Sequence, residues 1–179
     1  MKPRNKREWP LKQVNRLIQT GPVVLVTTAH GGRANIMPMS WHTMLEFDPP
    51  LVGCVISREH FTHELLERSR ECVLNLPTAS LAREVVRCGN VSGRKTDKWA
   101  MCGWTPEPAT VVSAPMIAVC YANLECRVRD DSWATKYDFI VLEVVRAWVE
   151  PGIELPKTLH HLHGPEFLVP GRRLKVSVR

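Results

Sequence analysis

Apolar segments of uneven length run through this chain without the long amphipathic helices that separate the strands of a parallel sheet. Their Val, Ile and Thr content and their spacing are typical of β-strands. The connections between them hold only short helical segments, which disfavours a doubly wound sheet. The pattern predicts a mainly β domain with short helices, folded as a small barrel. The predicted strands are 23–27, 34–37, 51–56, 72–76, 117–129 and 137–148, and the predicted helices are 11–19, 62–69, 80–87 and 97–102.

The length of the chain predicts one domain. Its 179 residues can form a sizeable core but are too few for two domains of ordinary size. No apolar run approaches the ~18 residues of a membrane-spanning helix, and the basic N-terminus lacks the apolar core of a secretory signal. The six cysteines include no CxxC pair, which is typical of reduced thiols in the cytosol. We therefore expect a single domain over 1–179 in a cytoplasmic protein with no membrane partner.

The net charge of +6 is concentrated at the two ends of the chain. Residues 1–16 hold six Lys or Arg and one Glu, residues 171–179 hold four Lys or Arg and no acid, and the rest sum to −3. Basic ends contact phosphates without selectivity, whereas a nucleic-acid-binding domain carries a basic face. We interpret 1–20 and 171–179 as basic flanking segments, and the acidic body disfavours a nucleic-acid partner.

A possible phosphate site follows the predicted strand 51–56. The sequence has neither a Gly-rich dinucleotide fingerprint nor a P-loop, so any nucleotide must be held in another way. Ser57, Arg58 and Thr62 lie where the strand passes into a helix, beside the free amides of the helix start. Such amides and a guanidinium group favour a phosphate. The alternative is that Thr62 is only an N-cap and Ser57 a turn residue.

A second candidate site lies around Pro38. A proline must end a strand or confine it to the edge of a sheet, so we predict irregular backbone over 39–43. Free amides together with Met39, Ser40 and Trp41 suit one face of a flat heteroaromatic ligand whose ring edge needs hydrogen bonds. The alternative is a core tryptophan where two strands cross.

The loop 90–98 is a third candidate. It carries a glycine and three cations and leads into the predicted helix 97–102, where Asp97 complements the helix dipole. A solvated surface loop is the alternative.

The histidines do not predict a metal site. On a strand only His161 and His163 share a face, His160 lies on the other, and no third ligand has metal-site spacing. His42 and His60 lie next to the candidate segments, where they contact a ligand or are exposed turn residues.

These segments resemble, in order and spacing, the flavin reductase-like family, the FMN-binding split barrels that include flavoredoxin. The resemblance extends from residue 22 to residue 172, and its C-terminal part is similar to the flavoredoxin branch. The matching pieces are VVLVTT (23–28), NIMPMSW (35–41), DPPLV (48–52), VLNLP (73–77), GNVSG (89–93) with Asp97-Lys98, AP (114–115), LEC (124–126), EVV (143–145) and TLHHLHGPEFLVPG (158–171).

The resemblance implies a six-stranded split barrel and a homodimer with FMN near the subunit interface. It also implies cofactor contacts from three segments, with the loop contributing from its own or the partner subunit. These are Asn35, Pro38, Met39, Ser40 and Trp41 for the isoalloxazine ring, Ser57, Arg58 and Thr62 for the phosphate, and Ser92 and Lys98 of the loop for either.

The resemblance further implies hydride transfer from NAD(P)H to flavin N5. No catalytic acid or base is named, because the cofactor carries the difficult step. We therefore expect an NAD(P)H:flavin oxidoreductase that passes electrons to a small molecule or a protein. The alternative is a non-enzymatic, flavoredoxin-like FMN carrier that a partner protein reduces.

Overall fold

The computed structural model describes residues 21–153 and 155–176. Its main sheet contains seven strands, which are β1 (Val24–His30), β2 (Arg33–Met39), β3 (His42–Phe47), β4 (Pro50–Val55), β5 (Glu71–Leu76), β8 (Ala122–Asp130) and β9 (Phe139–Val149). Their order is β2-β1-β5-β8-β9-β4-β3, and every neighbouring pair is antiparallel. The predicted helix 11–19 lies outside the described residues.

Short elements fill the connections between these strands. The helices are α1 (Phe61–Ser69), α2 (Ala82–Gly89), α3 (Lys98–Cys102) and α4 (Ala134–Tyr137), and a 3₁₀ turn (Ala79–Leu81) precedes α2. Two small antiparallel pairs are formed by β6 (Pro106–Glu107) with β7 (Met116–Ile117) and by β10 (His160–His163) with β11 (Glu166–Leu168). The predicted class, mainly β with short helices, is confirmed.

Strand β1 lies inside the fold and buries both of its faces. Val24 and Val26 belong to one apolar cluster, whereas Leu25 belongs to a second cluster with Val85 of α2. A strand that is covered on both sides has a continuous apolar sequence, as residues 22–26 do. The turn into β2 uses Gly31 and Gly32 at positive φ, and the predicted hairpin is confirmed.

The predicted strand 117–129 is wrong in its first part. Ile117 ends β7, and a turn follows before β8 begins at Ala122. The buried Asn75 side chain of β5 holds this turn, because its Oδ1 accepts hydrogen bonds from the Ile117 amide (2.9 Å) and from Asn123 Nδ2 (2.8 Å). Residues 117–122 contain no Gly or Pro and are mostly apolar, so the sequence pattern did not indicate a turn there.

The irregular segment predicted at 39–43 is shorter than expected. β2 continues through Pro38 because it is an edge strand, where a missing N–H is tolerated. Only Ser40 and Trp41 separate β2 from β3, which begins at His42. β3 is a seventh strand where the resemblance implied six, and its exposed edge position explains why it lacks an apolar alternation.

A buried carboxylate fixes the loop before β7. Glu125 of β8 is fully buried and accepts hydrogen bonds from the amides of Thr110, Val111 and Val112 and from Trp148 Nε1. Burial raises the pKa of this carboxyl, but the hydrogen bonds together outweigh burial and leave the pKa below its ordinary value. Glu125 therefore stays ionised and ties the loop to the sheet.

Candidate functional site

An open cavity of about 520 Å³, named the large cavity here, lies beside the end of β2, and a shallower depression of about 660 Å³ surrounds the β1–β2 turn. Small-molecule sites commonly measure about 300–1,000 Å³, so the large cavity has the size of a cofactor site. Its wall combines the β2–β3 connection, the junction after β4, the second half of α2 and the β10–β11 hairpin. The lining residues are Val23, Met37, Pro38, Met39, Ser40, Trp41, Val55, Ser57, His60, Val85, Val86, Gly89, Asn90, Asp138, His161, Gly164 and Phe167.

Trp41 forms an exposed part of this wall. Its side chain is 54% exposed, so the alternative of a core tryptophan is wrong. The Trp41 carbonyl accepts a hydrogen bond from the Val55 amide (3.0 Å), which fixes the β2–β3 connection against the end of β4. Pro38 and Ser40 are half-buried and Met39 is buried, and all three line the cavity. This part of the wall is an apolar surface with one hydroxyl group.

The junction between β4 and α1 supplies the polar end of the cavity. The Ser57 hydroxyl accepts a hydrogen bond from the Glu59 amide (3.4 Å), as in a turn, and Ser57 lines the cavity. α1 begins at Phe61 with His60 as its N-cap residue. The first amides of a helix have no intrahelical acceptor, and the dipole is positive there. His60 is the residue of this helix start that lines the cavity, its amide donates to the Ser57 carbonyl (3.0 Å), and the Asp138 side chain lies in the same part of the wall.

Thr62 and Arg58 do not line the cavity. Thr62 is the second residue of α1 and is buried, so the N-cap alternative is wrong. Its Oγ1 accepts a hydrogen bond from Asn35 Nδ2 (2.8 Å), which ties α1 to β2. The Arg58 amide donates to Asp138 Oδ1 (3.2 Å), while its exposed side chain lines a second, smaller cavity.

Asn35 is held between α1 and the loop 90–98. A Cβ placed on Gly93 would lie 1.9 Å from Asn35 Oδ1, so only glycine fits at this position. Asn35 Oδ1 is buried and has no hydrogen-bond partner among the described residues. Asn35 therefore acts through packing and its bond to Thr62, and it braces the start of α1 rather than facing the cavity.

Lys98 and Ser92 lie behind the cavity wall. Lys98 is buried, and its Nζ donates a hydrogen bond to the Ile36 carbonyl of β2 (2.8 Å). Burial lowers the pKa of this ammonium group. Ser92 is exposed, and its Oγ accepts a hydrogen bond from the Arg94 amide (3.3 Å). Within the loop 90–98, Asn90 is the residue that reaches the cavity lining.

Part of the cavity wall was not predicted from the sequence. His161 and Phe167 of the β10–β11 hairpin line the cavity, with their ring centroids 5.5 Å apart. His60 also lines it, whereas His42 Nε2 is hydrogen-bonded to the Pro22 carbonyl (2.7 Å). The only sequence signal for the hairpin was the similarity of residues 158–171 to flavoredoxin, and this similarity did not assign a cofactor contact to any of them.

No helix in residues 21–153 and 155–176 is long and apolar enough to cross a membrane. No three His, Cys, Asp or Glu side chains there are grouped as metal ligands.

The arrangement of strands is shared with solved structures. The FMN-binding domain of a flavin reductases-like enzyme from Shewanella baltica is 26% identical, with a TM-score of 0.80 over 94% of this chain and 96% of that chain. A flavoredoxin from Methanosarcina acetivorans has a TM-score of 0.81 over 97% and 96% of the two chains, and at 24% identity it supports the fold alone. The fold, with its cavity beside the end of β2, defines a split β-barrel domain of the flavoprotein class. The predicted fold class is confirmed.

Sequence comparison places the chain within this class. Residues 17–165 match the flavin reductase like domain, so the chain belongs to the flavin reductase-like family. The uncharacterized protein YddH from Escherichia coli K12 is 30% identical over 178 residues, which cover 92% of this chain and 94% of that protein.

Proposed function

We propose that this protein binds FMN in the large cavity and acts as an NAD(P)H-dependent oxidoreductase that passes electrons to a flavin or another acceptor. The observation that carries the proposal is the apolar, cofactor-sized cavity with Trp41 exposed in its wall and a helix start at its polar end. Relatives with this fold include an FMN-binding domain, which supports FMN as the cofactor.

The cavity residues fit the parts of FMN. Pro38, Met39, Ser40 and Trp41 offer an apolar surface and a hydroxyl to the isoalloxazine ring and its edge. The Ser57 hydroxyl suits the phosphate, and the positive end of the α1 dipole lies at the same junction. FMN therefore needs no dinucleotide fingerprint here.

Asn35, Thr62 and Lys98 support this site from behind. Asn35 and Thr62 fix α1 against β2, and Lys98 holds the Ile36 carbonyl of the same strand. These hydrogen bonds therefore fix the position of α1 relative to β2, and so the position of one side of the cavity relative to the other. Direct contact of Ser92 or Lys98 with the cofactor stays a prediction, since neither side chain lines the cavity, whereas Arg58 lines the second cavity and is not proposed as a cofactor contact.

When bound, FMN supplies a ring that accepts hydride at N5 from a nicotinamide. The chain must then hold two flat rings about 3–3.5 Å apart and stabilise negative charge at one ring edge. The Trp41 side of the cavity provides the flat surface, and the Ser40 hydroxyl provides a donor. We assign no side chain as general acid or base.

We also propose that the protein is a homodimer. β3 is an edge strand whose Met44, Leu45 and Phe47 side chains are exposed, and Trp41 continues this surface to the cavity. On β9, Trp148 and Val149 are exposed as well. Aromatic residues and Met are enriched in protein interfaces. A second subunit on this surface would cover a flavin that one subunit leaves open to solvent.

The test has three steps. FMN, FAD and riboflavin are titrated into the purified protein, and we expect FMN to bind more tightly than the other two. Protein that cannot be loaded with FMN would contradict the proposal. The FMN-loaded protein is then mixed anaerobically with NADH or NADPH, and bleaching of the flavin absorbance supports the enzyme. Tight FMN binding without bleaching would instead favour the carrier that a partner protein reduces. An acceptor screen follows.

A further inference from the structure

A small second cavity lies on the other side of the β4–α1 junction. It measures about 100 Å³ and is bounded by α1 on one side and by the segment between β8 and β9 on the other. One water occupies about 30 Å³ in the liquid, so the space holds a group of a few heavy atoms and excludes a nucleotide. None of its lining residues lines the large cavity.

The deepest polar group in this cavity has no partner. His63 is only 7% exposed, and its Nε2 is buried without a hydrogen bond to any described residue. An unpaired buried polar atom destabilises the folded protein, because it has lost its hydrogen bonds to water. A ligand or water at this point would remove that destabilisation.

Two guanidinium groups and two carboxylates share the lining with His63. Arg58 and Arg70 supply donors only, whereas Glu67 and Asp131 supply acceptors. Arg70 is paired with Asp131, whose pKa is lowered by that hydrogen bond. Arg58 has no ion-pair partner within the part of the chain that the structure describes. Asp131 is therefore taken up by Arg70, which leaves Arg58 facing Glu67 as the other carboxylate of the lining, and both of these side chains are exposed.

We propose that this cavity binds a small tetrahedral oxyanion of the phosphate class, with Arg58, Arg70 and His63 Nε2 as its donors. The size of the space, the buried His63 Nε2 without a hydrogen bond and the Arg58 guanidinium without an ion pair among the described residues together point to a compact acceptor-rich ion. The site is separate from the flavin cavity, so it does not depend on the proposed function.

The site shares a backbone link with the flavin cavity. Asp138 lines the large cavity and accepts a hydrogen bond from the Arg58 amide, and its carbonyl accepts one from the Ile56 amide (2.8 Å). The two cavities therefore share the β4–α1 junction but no lining residue.

The experiment is a titration of the full chain with inorganic phosphate, followed by thermal unfolding at constant ionic strength, with chloride as the reference salt. We expect a saturable rise in Tm, as for any ligand that binds only the folded state. Arg58→Gln should weaken phosphate binding at least tenfold, and Glu67→Gln should strengthen it because the opposing charge is gone. Arg83→Gln, an exposed change on α2 outside both cavities, is the matched control and should have no effect.

The His63→Leu variant distinguishes a ligand-binding role of His63 from a purely structural role. It removes the unpaired nitrogen, so the phosphate-free protein should be at least as stable as the wild type while the phosphate-dependent rise in Tm disappears. A rise that persists in this variant would overturn the assignment of His63.

Repeating the titration with FMN-loaded protein shows whether inorganic phosphate binds in the second cavity or in the place of the FMN phosphate group. Equal phosphate affinity with and without FMN supports a separate site. Competition between phosphate and FMN would overturn it, and so would a Tm that follows ionic strength alone. If the protein fails to bind FMN, the FMN-free titration still decides whether the anion site exists.

Discussion

Replacing Trp41 with alanine separates stability from cofactor binding, because the side chain is about half exposed and lines the large cavity. A fully buried Trp→Ala change costs about 3–5 kcal/mol. A side chain that is 54% exposed should lose roughly half of this, about 1.5–2.5 kcal/mol. FMN should lose a stacking partner worth about 0.5–1.5 kcal/mol beyond the buried area.

Trp133→Ala is the matched control. Trp133 is 56% exposed and lies against Tyr137, outside the cavity lining. Both variants should therefore lose similar stability in thermal unfolding of the FMN-free protein, but only Trp41→Ala should raise the FMN Kd or shift the flavin spectrum. An FMN Kd that stays unchanged in Trp41→Ala, corrected for the folded fraction, would place the flavin elsewhere and refute the reasoning.

Four further outcomes are expected. Ser40→Ala should weaken FMN binding by about 0.5–1.5 kcal/mol without changing the FMN-free Tm, since one hydroxyl is lost; an equal Kd by fluorescence titration would remove Ser40 from the site. Arg58→Ala should leave the FMN Kd unchanged, whereas a loss of about 1.5–3 kcal/mol would return the guanidinium to the flavin phosphate. Glu125 has a lowered pKa, so its contribution to stability is complete above the unfolded-state pKa and is lost as pH falls through the folded-state value. Glu125→Gln should lower the free energy of unfolding by about 1.5–3 kcal/mol at pH 7 and should reduce its dependence on pH in the acid range. A pH dependence equal to that of the wild type, measured by urea unfolding at several pH values, would contradict this. Phe47→Asp should convert a dimer into monomers in light scattering with little change in Tm at low concentration, because Phe47 is 89% exposed in one subunit.

The sequence predicted the elements whose signal is local. The glycine turn between β1 and β2 and the apolar segments of β4 and β5 are each specified by neighbouring residues, and the structure confirms them. β3 was missed because an exposed edge strand needs no apolar face. The strand predicted from residue 117 was too long, because the turn before β8 is held by Asn75 from a distant strand.

The candidate site was predicted only in part, because some of its residues are adjacent in the sequence and others come from distant segments. Met39, Ser40 and Trp41 line the cavity, and Trp41 is exposed as a ligand-binding residue requires. His161 and Phe167 complete the wall from more than a hundred residues away, a contact that spacing cannot indicate. The sequence also could not indicate that the Arg58 side chain lines the second cavity, because that cavity is formed with residues of β8 and β9 that are distant in the chain.

The tight contact between Gly93 and Asn35 limits how this sequence can diverge. Any side chain at 93 would enter the space of the Asn35 amide, so a change there is viable only after position 35 has become smaller. A smaller residue at 35 in turn gives up the hydrogen bond to Thr62. A substitution at position 93 should therefore follow a substitution at position 35 during evolution, and it should be accompanied by loss of the hydrogen bond that ties α1 to β2.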